Sequence, residues 1–210
     1  MKSTERTKRL VIASLIIAII ALMGFTPLGY IKIGPIEVTF LMIPVVIGAS
    51  VLGIRWGTLF GAIFGITSFI QCFGYSPFGT ALFAINPFYT FLLCVVPRTL
   101  MGLLAGLIFK AISKIDKTKI ISFIVTAISG AVLNTLFFTI MFIVFFRNAD
   151  ILGMSLSTMS IIEVIGILVT LNAILEIIVC GIIGAAISKI IVKFVFNSKK
   201  LNTSESKSEN

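Results

Sequence analysis

Six continuous apolar stretches set the limits on what this chain can fold into: residues 10–25, 38–52, 57–73, 87–111, 120–146 and 160–195. A helix needs about 20 apolar residues to cross a hydrocarbon core ~30 Å thick. Within lipid, every backbone N–H and C=O must find its partner inside the segment. The runs neither alternate nor carry one polar face, so they do not describe a water-soluble core. They predict an all-α integral membrane protein with six transmembrane helices. A composition of 58% hydrophobic and 12% charged residues, with a mean hydropathy of +1.16, agrees with that class. The first two runs are short, which places their ends partly within the protein.

The net charge of +9 is distributed at the ends of these runs. Lys2, Arg6, Lys8 and Arg9 precede the first, Lys110, Lys114, Lys117 and Lys119 join the fourth to the fifth, and Lys189, Lys193, Lys199 and Lys200 close the chain. With Arg55 they fall on one side of the membrane, while the opposite loops carry only Lys32 and Arg147. Lys/Arg bias of this kind marks the cytoplasmic side, so both termini are placed there. Basic residues at helix ends, without aromatic interleaving on a polar surface, do not make a nucleic-acid interface. Residues 1–25 have the charged start and apolar middle of a signal peptide but no A-x-A-like cleavage site, and they are read as a retained span. Residues 1–196 form the membrane domain, and the polar segment 197–210 is expected to be a disordered cytoplasmic tail.

The loops differ by side. The inner connections are tight (Gly53-Ile54-Arg55-Trp56) or basic (112–119). The outer ones, TPLGYIKIGPIE (26–37), GYSPFGTALFAINP (74–87) and RNADILGMSLSTM (147–159), combine turn residues with apolar ones. Such loops are suited to fold back over a site. Asn86-Pro87 reads as an N-cap and first helical residue, and Ser160 with Glu163 as a capping box. Gly53, Gly57, Gly61 and Gly65 recur every fourth residue, as do Gly102 with Gly106 and Gly181 with Ala185. Small residues at this spacing let helices approach closely in lipid, and packing within one protomer is their expected role. Ser14 and Ala18 form a similar pair on the first run and suit docking of a partner helix.

Four polar side chains interrupt the apolar runs: Arg98, Asn134, Asn172 and Glu176. An ionisable group at a helix centre costs about 2.5–3.5 kcal/mol on insertion scales, which makes each a candidate functional residue. At ~1.5 Å per residue, Arg98 lies about 16 Å into its span, Asn172 is at a similar depth with Glu176 one turn on, and Asn134 is about 21 Å from the inner end of its own. All four meet near mid-membrane, between the fourth, fifth and sixth spans. One arrangement pairs Arg98 with Glu176 and leaves the asparagines to complete a structural network, a role towards which Glu176 leans. The other turns the donors towards a cavity that binds a polar solute. Asn86 is a candidate both for the cap and for a substrate contact.

Other chemistry is scarce. The chain has no histidine, which removes imidazole metal ligands and His-based acid/base schemes. Cys72, Cys94 and Cys180 lack metal-ligand spacing and read as small buried hydrophobes. Paired acidic motifs, a nucleophile elbow and a phosphate-binding glycine loop are all missing. A binding protein is therefore expected in preference to a membrane-embedded enzyme acting on lipid or peptide. Energy for uphill transport has to come from another chain.

The segments VVPRTLMGLLAGLIFK, GAVLNTLFF and LNAILEIIVCGIIGAAI, with six spans in about 200 residues, resemble the substrate-binding S component of an energy-coupling factor transporter. TPLGYIKIGPIEVTFLMIPVVIGA is most similar to the pantothenate branch. The resemblance implies a bacterial, multi-pass cell-membrane subunit that captures a vitamin and needs no cofactor of its own. It also implies a transmembrane coupling subunit and two ATPases as partners. Arg98, Asn134, Asn172, Glu176 and Asn86 would then face the vitamin. Ser14 and Ala18 would stand where the family carries Ala-xxx-Ala for docking.

Overall fold

Gly53 is the single residue between two helices, and its backbone decides how the second and third apolar runs pack. Its φ of 98° is in the region that favours glycine. It closes α2 (Met42–Leu52) by donating its N–H to the Ala49 carbonyl and opens α3 (Ile54–Gln71) by accepting from Gly57 N–H, each at 3.0 Å. The inner turn is thus shorter than the four-residue connection expected. Gly53 belongs to that turn and not to the packing stripe.

The computed structural model describes residues 2–26, 29–33, 36–116, 118–151, 154–155, 159–160, 162–166, 176–178, 180–182 and 186. Besides α2 and α3 they comprise α1 (Lys2–Gly24), the antiparallel pair β1 (Tyr30–Ile33) and β2 (Ile36–Thr39), α4 (Pro77–Ile85), α5 (Pro87–Ile112), α6 (Ile120–Phe146) and the short pair β3 (Asp150–Ile151) and β4 (Met154–Ser155). The β1–β2 register sets Tyr30 opposite Thr39 and Ile33 opposite Ile36. Helices at Thr4–Gly24, Pro87–Ile112 and Ile120–Phe146 are long and apolar enough to cross a membrane, and Met42–Leu52 is a shorter apolar helix. Most of the sixth expected span, with the tail 197–210, lies outside the described residues. Its opening is visible: Ser160 N–H donates to Glu163 Oε2 at 2.8 Å and Glu163 N–H to Ser160 Oγ at 3.2 Å, the reciprocal capping box.

Two of the outer segments read as loops hold regular structure. Segment 26–37 carries the β1–β2 hairpin, and 74–87 contains α4. The signal for α4 is local: Ser76 accepts from Gly79 N–H at 3.1 Å as N-cap, and Pro77 occupies the first turn. Asn86 then ends α4 and caps α5, its side chain accepting from Tyr89 N–H at 3.1 Å.

Among the described residues α3 and α5 make the most extensive helix contact, and glycine lets them approach closely. A Cβ on Gly57 would stand 2.5 Å from the Gly102 carbonyl oxygen, one on Gly65 2.6 Å from Val95 Cα, and one on Gly106 2.8 Å from Ile54 Cα. One on Gly61 would strike the Arg98 carbonyl. Because lipid tails are as apolar as the side chains, dispersion from such close approach is what holds helices together here. The predicted stripes on the third and fourth runs therefore pack against each other. Gly181 is looser, its nearest neighbour being Ile128 at 3.8 Å, and Ala185 lies outside the described residues.

Two apolar clusters flank this seam. Ile20, Leu41, Met42, Phe60, Phe64 and Met101 join α1, α2, α3 and α5. Leu82, Leu93, Phe142, Phe146, Ile151 and Val164 join α4, α5, α6 and β3. Hydroxyls within the helices are satisfied by the preceding turn, as in Ser50 to Val46 O (2.8 Å) and Thr126 to Ser122 O (2.6 Å). Leu10, Val11, Leu15 and Leu22 on α1 and Leu136, Ile140 and Val144 on α6 stay exposed. That outward apolar surface suits contact with hydrocarbon.

Candidate binding cavity

A cavity of about 120 Å³ opens among α3, α4, α5, α6 and the β1–β2 hairpin. A single water needs ~10–15 Å³ on that measure, so the space admits an organic molecule. The wall is mostly apolar, with Phe78, Leu82, Leu93 and Phe138, and the polar groups in it are few: Tyr30, Gln71, Arg98, Asn134, Thr135 and Glu176 among them. A mainly apolar cavity with a few convergent polar groups is the usual form of a small-molecule site.

Arg98 is placed by a defect in its own helix. Pro97 has no N–H, so the Leu93 carbonyl, four residues earlier, lacks its helical donor. Arg98 supplies one, donating from Nη1 to Leu93 O at 2.8 Å. The guanidinium is further held by two rings, with Cζ 4.9 Å from the Phe138 centroid and 5.6 Å from that of Phe64. Arg98 is 8% exposed and its Nε has no partner among the described residues. A buried donor left open is costly, and a ligand acceptor would satisfy it.

Glu176 is engaged elsewhere. Its Oε1 accepts from Thr39 N–H at 3.3 Å and its Oε2 from Thr135 Oγ1 at 3.2 Å, tying the end of β2 to α6. Among the described residues no ion pair joins it to Arg98, so the pairing weighed as one of two arrangements is not the one seen. Thr39 and Thr135 hold the carboxylate, and the Leu93 carbonyl holds Arg98 Nη1. Glu176 therefore shares the cavity wall with Arg98 while fixing the hairpin's position.

Asn134 is 4% exposed and its Oδ1 is unpartnered, one turn from Phe138 on α6. The structure thus brings Arg98, Asn134 and Glu176 to one cavity. Asn172 lies outside the described residues. Asn86 is spent on capping α5 and borders a separate cleft with Tyr89 and Arg147, away from the cavity.

Tyr30 and Gln71 also line the cavity, and no sequence motif marks them. Tyr30 lies in the outer segment 26–37 and Gln71 near the end of the third apolar run, where polar residues are unremarkable. Tyr30 Oη is buried beside the hydroxyls of Ser68 and Thr39, without a well-formed hydrogen bond to either. Desolvation pushes its phenol up to about 12, opposed in part by the charge of Arg98, so it stays protonated and able to donate. Gln71 Nε2 donates to the Gly24 carbonyl, tying the end of α3 to that of α1. Open polar atoms on Arg98, Asn134 and Tyr30 together suit a solute carrying a carboxylate and other hydrogen-bonding groups.

Ser14 and Ala18 lie on the exposed face of α1, with Leu15 and Leu22 beside them. Ser14 Oγ is turned inward to its own helix, donating to Leu10 O at 2.9 Å. The face is therefore flat and free of an open hydroxyl.

Residues 8–192 match the family described as ECF transporter, substrate-specific component. Two curated relatives are similar in sequence. Pantothenate transporter PanT of Leuconostoc mesenteroides is 36% identical over 112 residues, 51% of this chain and 53% of that protein. Pantothenic acid transporter PanT of Lactococcus lactis subsp. cremoris is 28% identical over 174 residues, 78% of this chain and 82% of that protein. The aligned chain spans about half the length of the first and most of the second.

Proposed function

This chain belongs to the family of substrate-specific components of ECF transporters, and from that premise we propose that it binds pantothenate for import. The observation that carries the proposal is the open Nε of Arg98 inside a largely apolar cavity. Pantothenate carries one carboxylate, an amide and two hydroxyls. The carboxylate is the acceptor Arg98 lacks, and a charge-assisted hydrogen bond of that kind is worth about 1.5–3 kcal/mol. Asn134 and Tyr30 are positioned for the amide and hydroxyls, with Asn172 as a further contact. The names of both relatives support this choice of vitamin.

In this reading the protein is a multi-pass subunit of a bacterial cell membrane with six spans and cytoplasmic termini. The cavity is bounded by the C-terminal end of α3, the N-terminal half of α5 and the β1–β2 hairpin, away from the basic ends of the helices, and it faces outward. A transmembrane coupling subunit docks on the Ser14–Ala18 face, and two ATPases supply the energy that this chain has no motif to extract.

Titration of the purified chain with pantothenate, folate, biotin and thiamine tests the proposal. Saturable binding of pantothenate in preference to the others is expected. Selective retention of folate, biotin or thiamine would overturn it.

A further inference from the structure

Two of the three cysteines face each other across the cavity wall. Cys72 Sγ, at the C-cap of α3, lies 3.9 Å from Cys94 Sγ on α5. Neither is in a disulfide, and both line the cavity. Their residues are only 4% and 6% exposed, so a reagent reaches them through the cavity and not from the bundle surface. Cys180 is separate, buried beside Met42 and Phe123 in another small void.

We propose that Cys72 and Cys94 are a dithiol site that small peroxides oxidise to an intramolecular disulfide. A disulfide requires sulfurs at about 2.05 Å, leaving a gap of roughly 2 Å for side-chain rotation and a small shift of the α3 terminus to close. Cys94 is the attacking group. It stands one turn before Arg98 on the same face of α5 and lines the cavity, and its thiolate is the nucleophile. The Cys94 thiolate attacks one peroxide oxygen, the O–O bond breaks and hydroxide leaves, giving a sulfenic acid on Cys94. The Cys72 thiol then attacks that sulfur, forming the S–S bond and releasing the sulfenic oxygen as water. Two thiols and one hydrogen peroxide become one disulfide and two waters. The bond would pin the end of α3 to α5 beside Arg98. This inference stands apart from the identity of the vitamin.

The test uses the full chain, purified reduced, treated with hydrogen peroxide, quenched, denatured and counted for thiols with a maleimide of high mass. The number of reactive thiols falls from three to one and returns to three after dithiothreitol, and peptide mapping finds Cys72 linked to Cys94 within one chain. Cys72→Ser leaves a sulfenic acid on Cys94 that dimedone captures. Three thiols after peroxide, a loss that dithiothreitol does not reverse, or a link that involves Cys180 or joins two chains would each overturn the proposal. The wild-type count and map decide the matter even where the variant is poorly expressed.

Discussion

Arg98 donates from Nη1 to the carbonyl of Leu93 at 2.8 Å, taking the place of the backbone N–H that Pro97 cannot provide. Proline inside a helix usually costs ~3 kcal/mol or more. Here the lost bond is replaced by a side chain that is thereby locked facing the cavity. Pro97 is thus a positioning residue for Arg98. Replacing it by alanine restores a backbone donor to Leu93 and releases the guanidinium. We predict that Pro97→Ala raises the thermal midpoint while weakening pantothenate binding by about fivefold, the equivalent of ~1 kcal/mol lost with the orientation of the guanidinium. Calorimetric titration beside a thermal melt checks this, and unchanged affinity would remove Pro97 from the account.

Arg98 and Glu176 should separate by phenotype, because one is open to the cavity and the other is engaged. Arg98→Ala is predicted to insert normally and to lose pantothenate affinity by about 10–150-fold, the range of a charged hydrogen bond. Glu176→Ala frees Thr39 N–H and Thr135 Oγ1, so it lowers the thermal midpoint first and affinity second. If the Arg98 variant is instead degraded but binds normally when recovered, its role is structural.

How far the sequence alone led can be judged at particular residues. Arg98, Asn134 and Glu176 stood out because hydrocarbon makes each costly, and all three reach one cavity. The capping signals at Asn86 and Ser160 and the glycine stripe on α3 were equally readable, since each depends on neighbours a few residues away. The partners of Arg98 and Glu176 were not readable: opposite charges at matching depth suggest a pair, but the choice between a pair and two backbone contacts depends on rotamers. The role of Pro97 was missed although it adjoins Arg98. Helix α4 resembles a loop in sequence because its nine residues include Pro77, Gly79 and Thr80, although Ser76-Pro77 is an N-terminal signature. Tyr30 joins the site through β-hairpin register, which no local pattern shows.

Gly61 has no room for a side chain. Its position against the Arg98 carbonyl means that even one methyl must separate α3 from α5. Gly61→Val is predicted to cost about 1–3 kcal/mol, the typical range for overpacking, and to reduce binding by displacing Arg98. Expression level, melting and titration are the readouts. A variant of wild-type stability would show that the seam is less tight than this contact implies.

Ser14 lies on an exposed face whose small residues are suited to close helix approach, and its hydroxyl is already satisfied by Leu10 O. Ser14→Leu is predicted to leave vitamin affinity intact while reducing co-purification with the proposed coupling subunit and ATPases. Loss of affinity with normal association would move Ser14 from docking to the binding site.

Asp116 organises the start of α6 from outside the helix. Lys119, at the N-cap position, has a left-handed backbone (φ 61°) and no capping bond of its own. Asp116 substitutes for it: Oδ2 accepts from Ser122 N–H and Oγ at 2.8 and 2.9 Å, and Oδ1 from Thr118 N–H and Oγ1 at 3.0 and 2.7 Å. Desolvation pushes this carboxyl up, but the bonds from Ser122 and Thr118 outweigh it and hold the group down at about 2, against an ordinary 3.8. A folded value below the unfolded one means the stabilisation is complete above about pH 4 and disappears as pH falls through about 2. Asp116→Asn removes an acceptor from Ser122, and we predict a loss of about 1 kcal/mol at neutral pH, the usual worth of a cap. The difference between wild type and variant should shrink below pH 4, be roughly halved by pH 2 and be lost below it. Melts of both proteins across that range measure it, and a gap that does not shrink between pH 4 and pH 2 would show that the carboxylate charge is not what holds the turn.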